Sequence, residues 1–183
     1  MNFRFDPTKA TQVAGEFLRL AGGSLDVLKL VKLTYLLDRV SLIRRGLPVL
    51  GGDYYSMRNG PVISEVLDLI NSGWLRGAQT DWAEFISARM GNQVELRRPC
   101  ETGRLAESEL LLLSEVFTQH MNRSGRALAD WCHEHCAEWH PLTQGRHEIS
   151  VESMLEAGGK SEASIARVVR EEAETRCLAE LLN

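Results

Sequence analysis

Apolar residues recur at the spacing of an α-helix through most of the 183-residue sequence, and serine, glycine or proline marks the ends of these runs. The first run follows Asp6-Pro7, a pair typical of a helix N-terminus, and it stops at Gly22-Gly23. The pattern predicts a mainly α fold with about seven helices. They cover residues 7–21, 25–45, 61–72, 106–121, 124–136, 150–157 and 161–182, with Ser24 as the cap of the second.

Residues 84–98 repeat with a period of two instead of 3.6, which predicts one small β-hairpin. A three-residue loop at 90–92 keeps one face apolar, because it pairs Ile86 with Leu96. A two-residue turn at 91–92 mixes polar and apolar side chains, so the longer loop is favoured. We therefore expect a compact single domain over residues 1–183, with helices packed around one core and this hairpin at its edge.

Charge and apolar content exclude several classes of protein. There are 25 acidic and 21 basic residues, so the chain lacks the positive field of non-specific nucleic-acid binders and direct DNA binding is not expected. The longest apolar run has four residues, whereas a membrane span needs about 20. The N-terminus has no signal-peptide core. We expect a cytoplasmic protein whose four cysteines are free thiols.

The densest group of reactive side chains is WCHEHCAEWH, at residues 131–140. Thiolate and imidazole are good zinc ligands, so Cys132, His133 and Cys136 form a candidate metal site. A structural zinc site usually has a second ligand pair, which the sequence lacks, and buried cysteines commonly pack as small apolar residues. Neither a nucleophile elbow nor a phosphate-binding glycine loop occurs. We assign no catalytic residue and no cofactor, and a zinc-dependent enzyme remains the alternative.

The stretch GGDYYSMRNGP, residues 51–61, is predicted to form a rigid corner before the third helix. Pro61 sets φ at about −65° and Gly60 removes a side chain, so the chain can turn sharply. The N–H groups of residues 62–64 would be free at the helix start, and the Asp53 carboxylate is one candidate acceptor. Two interpretations remain open, a tight loop that only positions the helix and a partner-binding surface. That surface would comprise Tyr54, Tyr55, Arg58, Asn59, Gly60 and Pro61.

Residues 28–70 resemble the Panacea domain of SocA-like antitoxins and phage-associated proteins. The family pattern K-L-x-K-L-x-Y, followed by Gly, Pro-Leu and then G-P-V, has matching positions in this chain. These are Lys29, Leu30, Lys32, Leu33, Tyr35, Leu42, Gly46, Pro48, Gly60, Pro61 and Val62. The family also tends to carry a later helix with a histidine shortly before a tryptophan, to which His133 and Trp139 are similar. The resemblance spans residues 10–160, and it treats the hairpin and the C-terminal helix, 161–182, as local additions.

The resemblance implies an antitoxin that neutralises a cognate protein toxin by binding it, without being an enzyme. It also implies a second mechanism, in which the SocA type delivers its toxin to a bacterial ATP-dependent protease. Lys32 and Tyr35 share one face of the second helix, and a buried tyrosine needs a partner for its hydroxyl, for which His133 is a candidate. Leu181 and Leu182 at the end of the last helix leave a homodimer open.

Overall fold

The computed structural model describes residues 3–181, and within that range it contains eight helices and five short strands. The helices are α1 (Pro7–Leu20), α2 (Val27–Arg45), α3 (Ser64–Ser72), α4 (Trp82–Phe85), α5 (Glu107–His120), α6 (Gly125–His135), α7 (Val151–Ala157) and α8 (Glu162–Leu181). The strands are β1 (Ser24–Asp26), β2 (Tyr54–Met57), β3 (Gly60–Ile63), β4 (Gln93–Glu95) and β5 (His147–Ile149). The mainly α class is confirmed. The helix beyond the predicted seven is α4, a single turn too short for a helical period to reveal.

Several helices begin at the predicted caps. Asp6, Ser124 and Ser150 each accept a hydrogen bond from the backbone N–H three residues further on, at the starts of α1, α6 and α7. The second helix starts later than predicted. Its cap is Asp26, whose side chain accepts the N–H of Lys29, because the residues before it are drawn into β1.

Helix α2 is the centre of the fold and is buried on nearly all sides. It packs against α1, α3, α5, α6, α7, β1 and β3. Its polar residues Lys32, Thr34, Asp38 and Ser41 are as buried as its leucines. The predicted apolar stripe describes only part of its buried surface, because a helix surrounded by other elements has no solvent face.

Asp38 ties the middle of α2 to the loop that leads into β2. Its Oδ1 accepts the N–H groups of Val49 and Leu50, both at 2.8 Å. Its Oδ2 accepts the N–H of Gly51 at 2.9 Å and the hydroxyl of Tyr54 at 2.9 Å. Burial raises the pKa of the Asp38 carboxyl to about 6, although these hydrogen bonds favour the ionised form. One carboxylate thereby holds an irregular loop in place.

The predicted hairpin at 84–98 forms only in part. Ile86 pairs with Leu96, as predicted, but the tip is the two-residue turn, because Met90 and Gln93 exchange both backbone hydrogen bonds. Between the Ile86–Leu96 pair and the Met90–Gln93 pair, the first arm contains residues 87–89 and the second arm only residues 94–95. The extra residue of the first arm forms a β-bulge. The regular strand of this segment, β4, pairs antiparallel with β1 beside the start of α2.

The prediction that the third helix begins at Pro61 was wrong. Residues 60–63 form β3, which pairs antiparallel with β2, and β5 pairs with the other edge of β2. Proline is tolerated here because β3 is an edge strand. Helix α3 begins at Ser64, whose N–H donates to the carbonyl of Asp53 at 2.8 Å. The helix start is thus satisfied by a backbone oxygen of Asp53, and the nearby carboxylate of Glu65 accepts the N–H of Asp53.

We expect Asp38→Asn to lower the free energy of unfolding by at least about 2 kcal/mol, because an amide has one acceptor oxygen for the four donors around it. Urea unfolding followed by circular dichroism measures the change. Asp68→Asn, on the exposed face of α3, is the matched control, with an expected change below about 0.5 kcal/mol. Equal effects of the two substitutions would contradict the role assigned to Asp38.

Candidate functional site

The β2–β3 hairpin packs against α2, and Lys32 of α2 holds its backbone in place. The Lys32 side chain is fully buried, and its Nζ donates to the carbonyl of Pro61 at 2.7 Å. Gly60 has a φ of +97°, and a Cβ at this position would come within 3.2 Å of that Nζ. Burial lowers the pKa of Lys32 to about 8, because the charged ammonium lies away from water. Because Gly60 has no side chain and Pro61 supplies an acceptor carbonyl, the Gly60-Pro61 pair leaves room for the Lys32 ammonium between the hairpin and α2.

The segment that follows α6 holds the hairpin from its other side. The indole N–H of Trp139 donates to the carbonyl of Met57, and the backbone N–H of His140 donates to Ser56 Oγ, both at 3.0 Å. The His133 ring stacks on Trp139 with 3.9 Å between ring centroids and 11° between planes. The histidine and tryptophan singled out by the resemblance thus meet at the hairpin.

Tyr35 does not bond to His133, its predicted candidate partner. Its hydroxyl donates to Glu138 Oε1 at 2.6 Å. Arg39, one turn further along α2, donates to both oxygens of that carboxylate, at 2.7 and 3.2 Å. The prediction was wrong because the His133 ring stacks on Trp139, while the buried Glu138 lies opposite Tyr35. Burial raises the pKa of Tyr35 well above its usual value, so it remains a hydrogen-bond donor.

Cys132 and Cys136 lie in the hydrophobic core, which is the packing alternative that the sequence left open. The two thiols are neighbours that influence each other's ionisation, so the pKa of Cys132 is lowered and that of Cys136 is raised. In the part of the chain that the structure describes, no three His, Cys, Asp or Glu side chains are grouped so that they could hold a metal ion. The structure therefore does not bring His133 and the two thiols together as a ligand set.

Three of the six predicted partner-binding residues are buried. Tyr54 is 2% exposed and bonds to Asp38, while Gly60 and Pro61 lie within β3. These buried residues fix the conformation of the hairpin. They can contribute to binding only by positioning its exposed residues.

The other three lie at the surface of the hairpin. Arg58 and Asn59 are the two residues of the β2–β3 turn, and both are exposed. Tyr55 is half-buried, and the guanidinium of Arg146 lies 4.3 Å from the centroid of its ring. The exposed part of the predicted surface is therefore one turn with an aromatic ring beside it.

A cleft of about 480 Å³ opens beside this turn. The tips of both hairpins, the start of α2 and the first turn of α6 form its walls. Its charged lining residues are Lys32, Arg58, Arg89, Arg126 and Asp26. The volume lies within the range of ordinary ligand-binding pockets, about 300–1,000 Å³. We call this space the basic cleft.

Comparison with known families identifies a matching family. A family model described as antitoxin SocA-like, Panacea domain, matches residues 30–140. The match runs from the first turn of α2 to just beyond Trp139, so it includes the 84–98 segment and leaves α7 and α8 outside. Neither the curated proteins nor the solved structures give a match. Within residues 3–181, no helix combines the length and apolar character that a membrane span requires.

We expect Glu138→Gln to lower the free energy of unfolding by about 2 kcal/mol or more, because Arg39 is left largely buried without its ionised partner. Tyr35→Phe should lower it by only about 1 kcal/mol, since the ion pair remains. Urea unfolding measures both changes. Glu134→Gln, exposed on α6, serves as the control. A Glu138 variant as stable as this control would show that the ion pair does not hold the segment.

Proposed function

The chain belongs to the family of antitoxin SocA-like, Panacea-domain proteins, and on this premise we propose that it is the antitoxin of a toxin–antitoxin pair. It neutralises a cognate protein toxin by direct binding in the cytoplasm, and it acts as one domain without catalysis. The observation that carries this proposal is the family match over residues 30–140, which is more than half of the chain.

The β2–β3 turn is the docking surface in this proposal. Its backbone is held by the bonds of Pro61 to Lys32 and of Met57 to Trp139, so little conformational freedom is lost when a partner binds. Arg58 makes no hydrogen bond or ion pair with the other described residues, and an exposed arginine on a rigid support is a common interface contact. Tyr55 adds an aromatic surface beside it.

Delivery of the toxin to a bacterial ATP-dependent protease is the second mechanism. It requires a surface for the protease that remains free while the toxin occupies the hairpin. Leu178 and Leu181 are exposed at the C-terminal end of α8, and this apolar pair supports such a second contact. A homodimer would use the same end of α8, and Leu182, the other residue of that prediction, lies outside the described residues.

Co-expression with the toxin gene encoded beside this chain is expected to restore the growth that the toxin alone arrests. The double substitution Tyr55→Ala/Arg58→Ala should weaken toxin binding at least tenfold and abolish rescue, because it removes the exposed arginine of the turn and the aromatic ring beside it. Isothermal titration calorimetry measures the affinity, and thermal unfolding checks the fold.

Trp74→Ala/Arg76→Ala is the matched control, because it also removes one exposed aromatic and one exposed arginine, in a loop away from the hairpin. A folded hairpin variant that binds as tightly as wild type would move the docking surface elsewhere. Failure of the wild-type chain to rescue growth would contradict the antitoxin proposal itself. The toxin's half-life in cells distinguishes the two mechanisms, because delivery to a protease shortens it and masking does not.

A further inference from the structure

We propose that the basic cleft receives an acidic segment of the toxin, whose carboxylates bind Arg58 and Arg126 while an aliphatic side chain packs on the cleft wall. This inference rests on the proposed antitoxin function. It names the chemistry of the partner, which the function itself leaves open.

The charge of the cleft is opposite to that of the whole protein. The chain carries a net charge of −4, yet the cleft is lined by four basic residues and one acidic residue. That acidic residue, Asp26, caps the start of α2 by accepting the N–H of Lys29, and the basic residues still outnumber it four to one. The cleft therefore attracts carboxylates, although the protein as a whole is acidic.

Arg58 and Arg126 are available to a new partner, and Arg89 contributes its charge to the cleft. Arg58 has no ion pair within the described range. Arg126 pairs with Asp130 at 3.1 Å, but both side chains are at least half exposed, and such a pair is readily exchanged. Arg89 donates to neutral oxygens, those of Gly91 and of the Asn71 and Asn92 side chains, so its charge is not neutralised by them.

Lys32 adds a buried positive charge to the electrostatic field of the cleft. Its buried Nζ donates to the carbonyl of Pro61, and no ion pair joins it to a carboxylate of the described chain. A buried ammonium with a neutral partner is poorly compensated, so a carboxylate brought near it is favoured. The basic cleft thus combines surface arginines with one buried cation.

The uncharged lining favours a peptide as the occupant. Its apolar side chains are aliphatic or thioether, namely Val27, Leu28, Val31, Met57, Val62 and Leu67. Among the residues that the structure describes, the lining includes no aromatic ring on which a nucleic-acid base would stack. An acidic peptide with one aliphatic side chain matches both the charges and the wall.

The experiment measures the affinity of the full chain for the toxin by isothermal titration calorimetry at low and high salt. Arg126→Glu and Arg89→Glu are each expected to weaken binding at least tenfold at low salt, with a smaller effect at high salt. Arg126→Gln tests the lost contact without added repulsion. Arg170→Glu makes the same charge change on α8, which packs at the opposite end of α2 through Val168 and Gly46, and it should bind like wild type.

A charge swap identifies the carboxylate. Among toxin variants in which single acidic surface residues are reversed to lysine, one is expected to restore binding to Arg126→Glu and to weaken binding to wild type. A complete set without such a variant would overturn the inference. ATP and inorganic pyrophosphate are expected to leave the toxin bound, and displacement by either would overturn the inference in favour of a phosphate site.

The two proposals fail in distinguishable ways. Toxin binding that survives every cleft substitution would overturn the acidic-segment inference and leave the antitoxin function standing. A wild-type chain that does not bind the toxin would overturn the antitoxin function, and the inference with it.

Discussion

The buried polar side chains of α2 are the interactions on which the rest of the structure depends. Lys32 holds the β2–β3 hairpin, Asp38 holds the loop before it, and Tyr35 with Arg39 holds the segment after α6 through Glu138. The loop and the segment after α6 have little or no regular structure of their own, and the hairpin consists of two short strands. Because all four side chains project from one helix, the segments are positioned relative to each other.

Such buried groups specify geometry more than they add net stability. Removing a lysine or a carboxylate from water is costly, and its new partners roughly offset that cost. The loss of one partner is different, because it leaves the other buried and unsatisfied. The consequence is a hairpin turn whose exposed residues Arg58 and Asn59 are held by contacts beneath them, which suits a surface that functions by binding.

Much of the helical framework could be predicted from sequence, because caps and helical spacing are local signals. Asp6, Ser124 and Ser150 marked helix starts correctly. Pro61 misled because proline suits both a helix start and an edge strand, and pairing with β2 decides between them. Glu138 was missed because the polar sequence around it suggests an exposed segment. Asp38 could have been recognised as a buried polar residue, because it is an isolated acidic residue among the apolar residues of α2.

Amide hydrogen exchange of residues 54–63 is the most direct test of the claim that Lys32 preorganises the hairpin. In the wild-type chain, the hydrogen-bonded amides of β2 and β3 should exchange about as slowly as those of α2. In Lys32→Met they should exchange at least about tenfold faster, while amides of α1 remain unchanged. Fast exchange of the hairpin in the wild type, or no difference between the two proteins, would contradict the account.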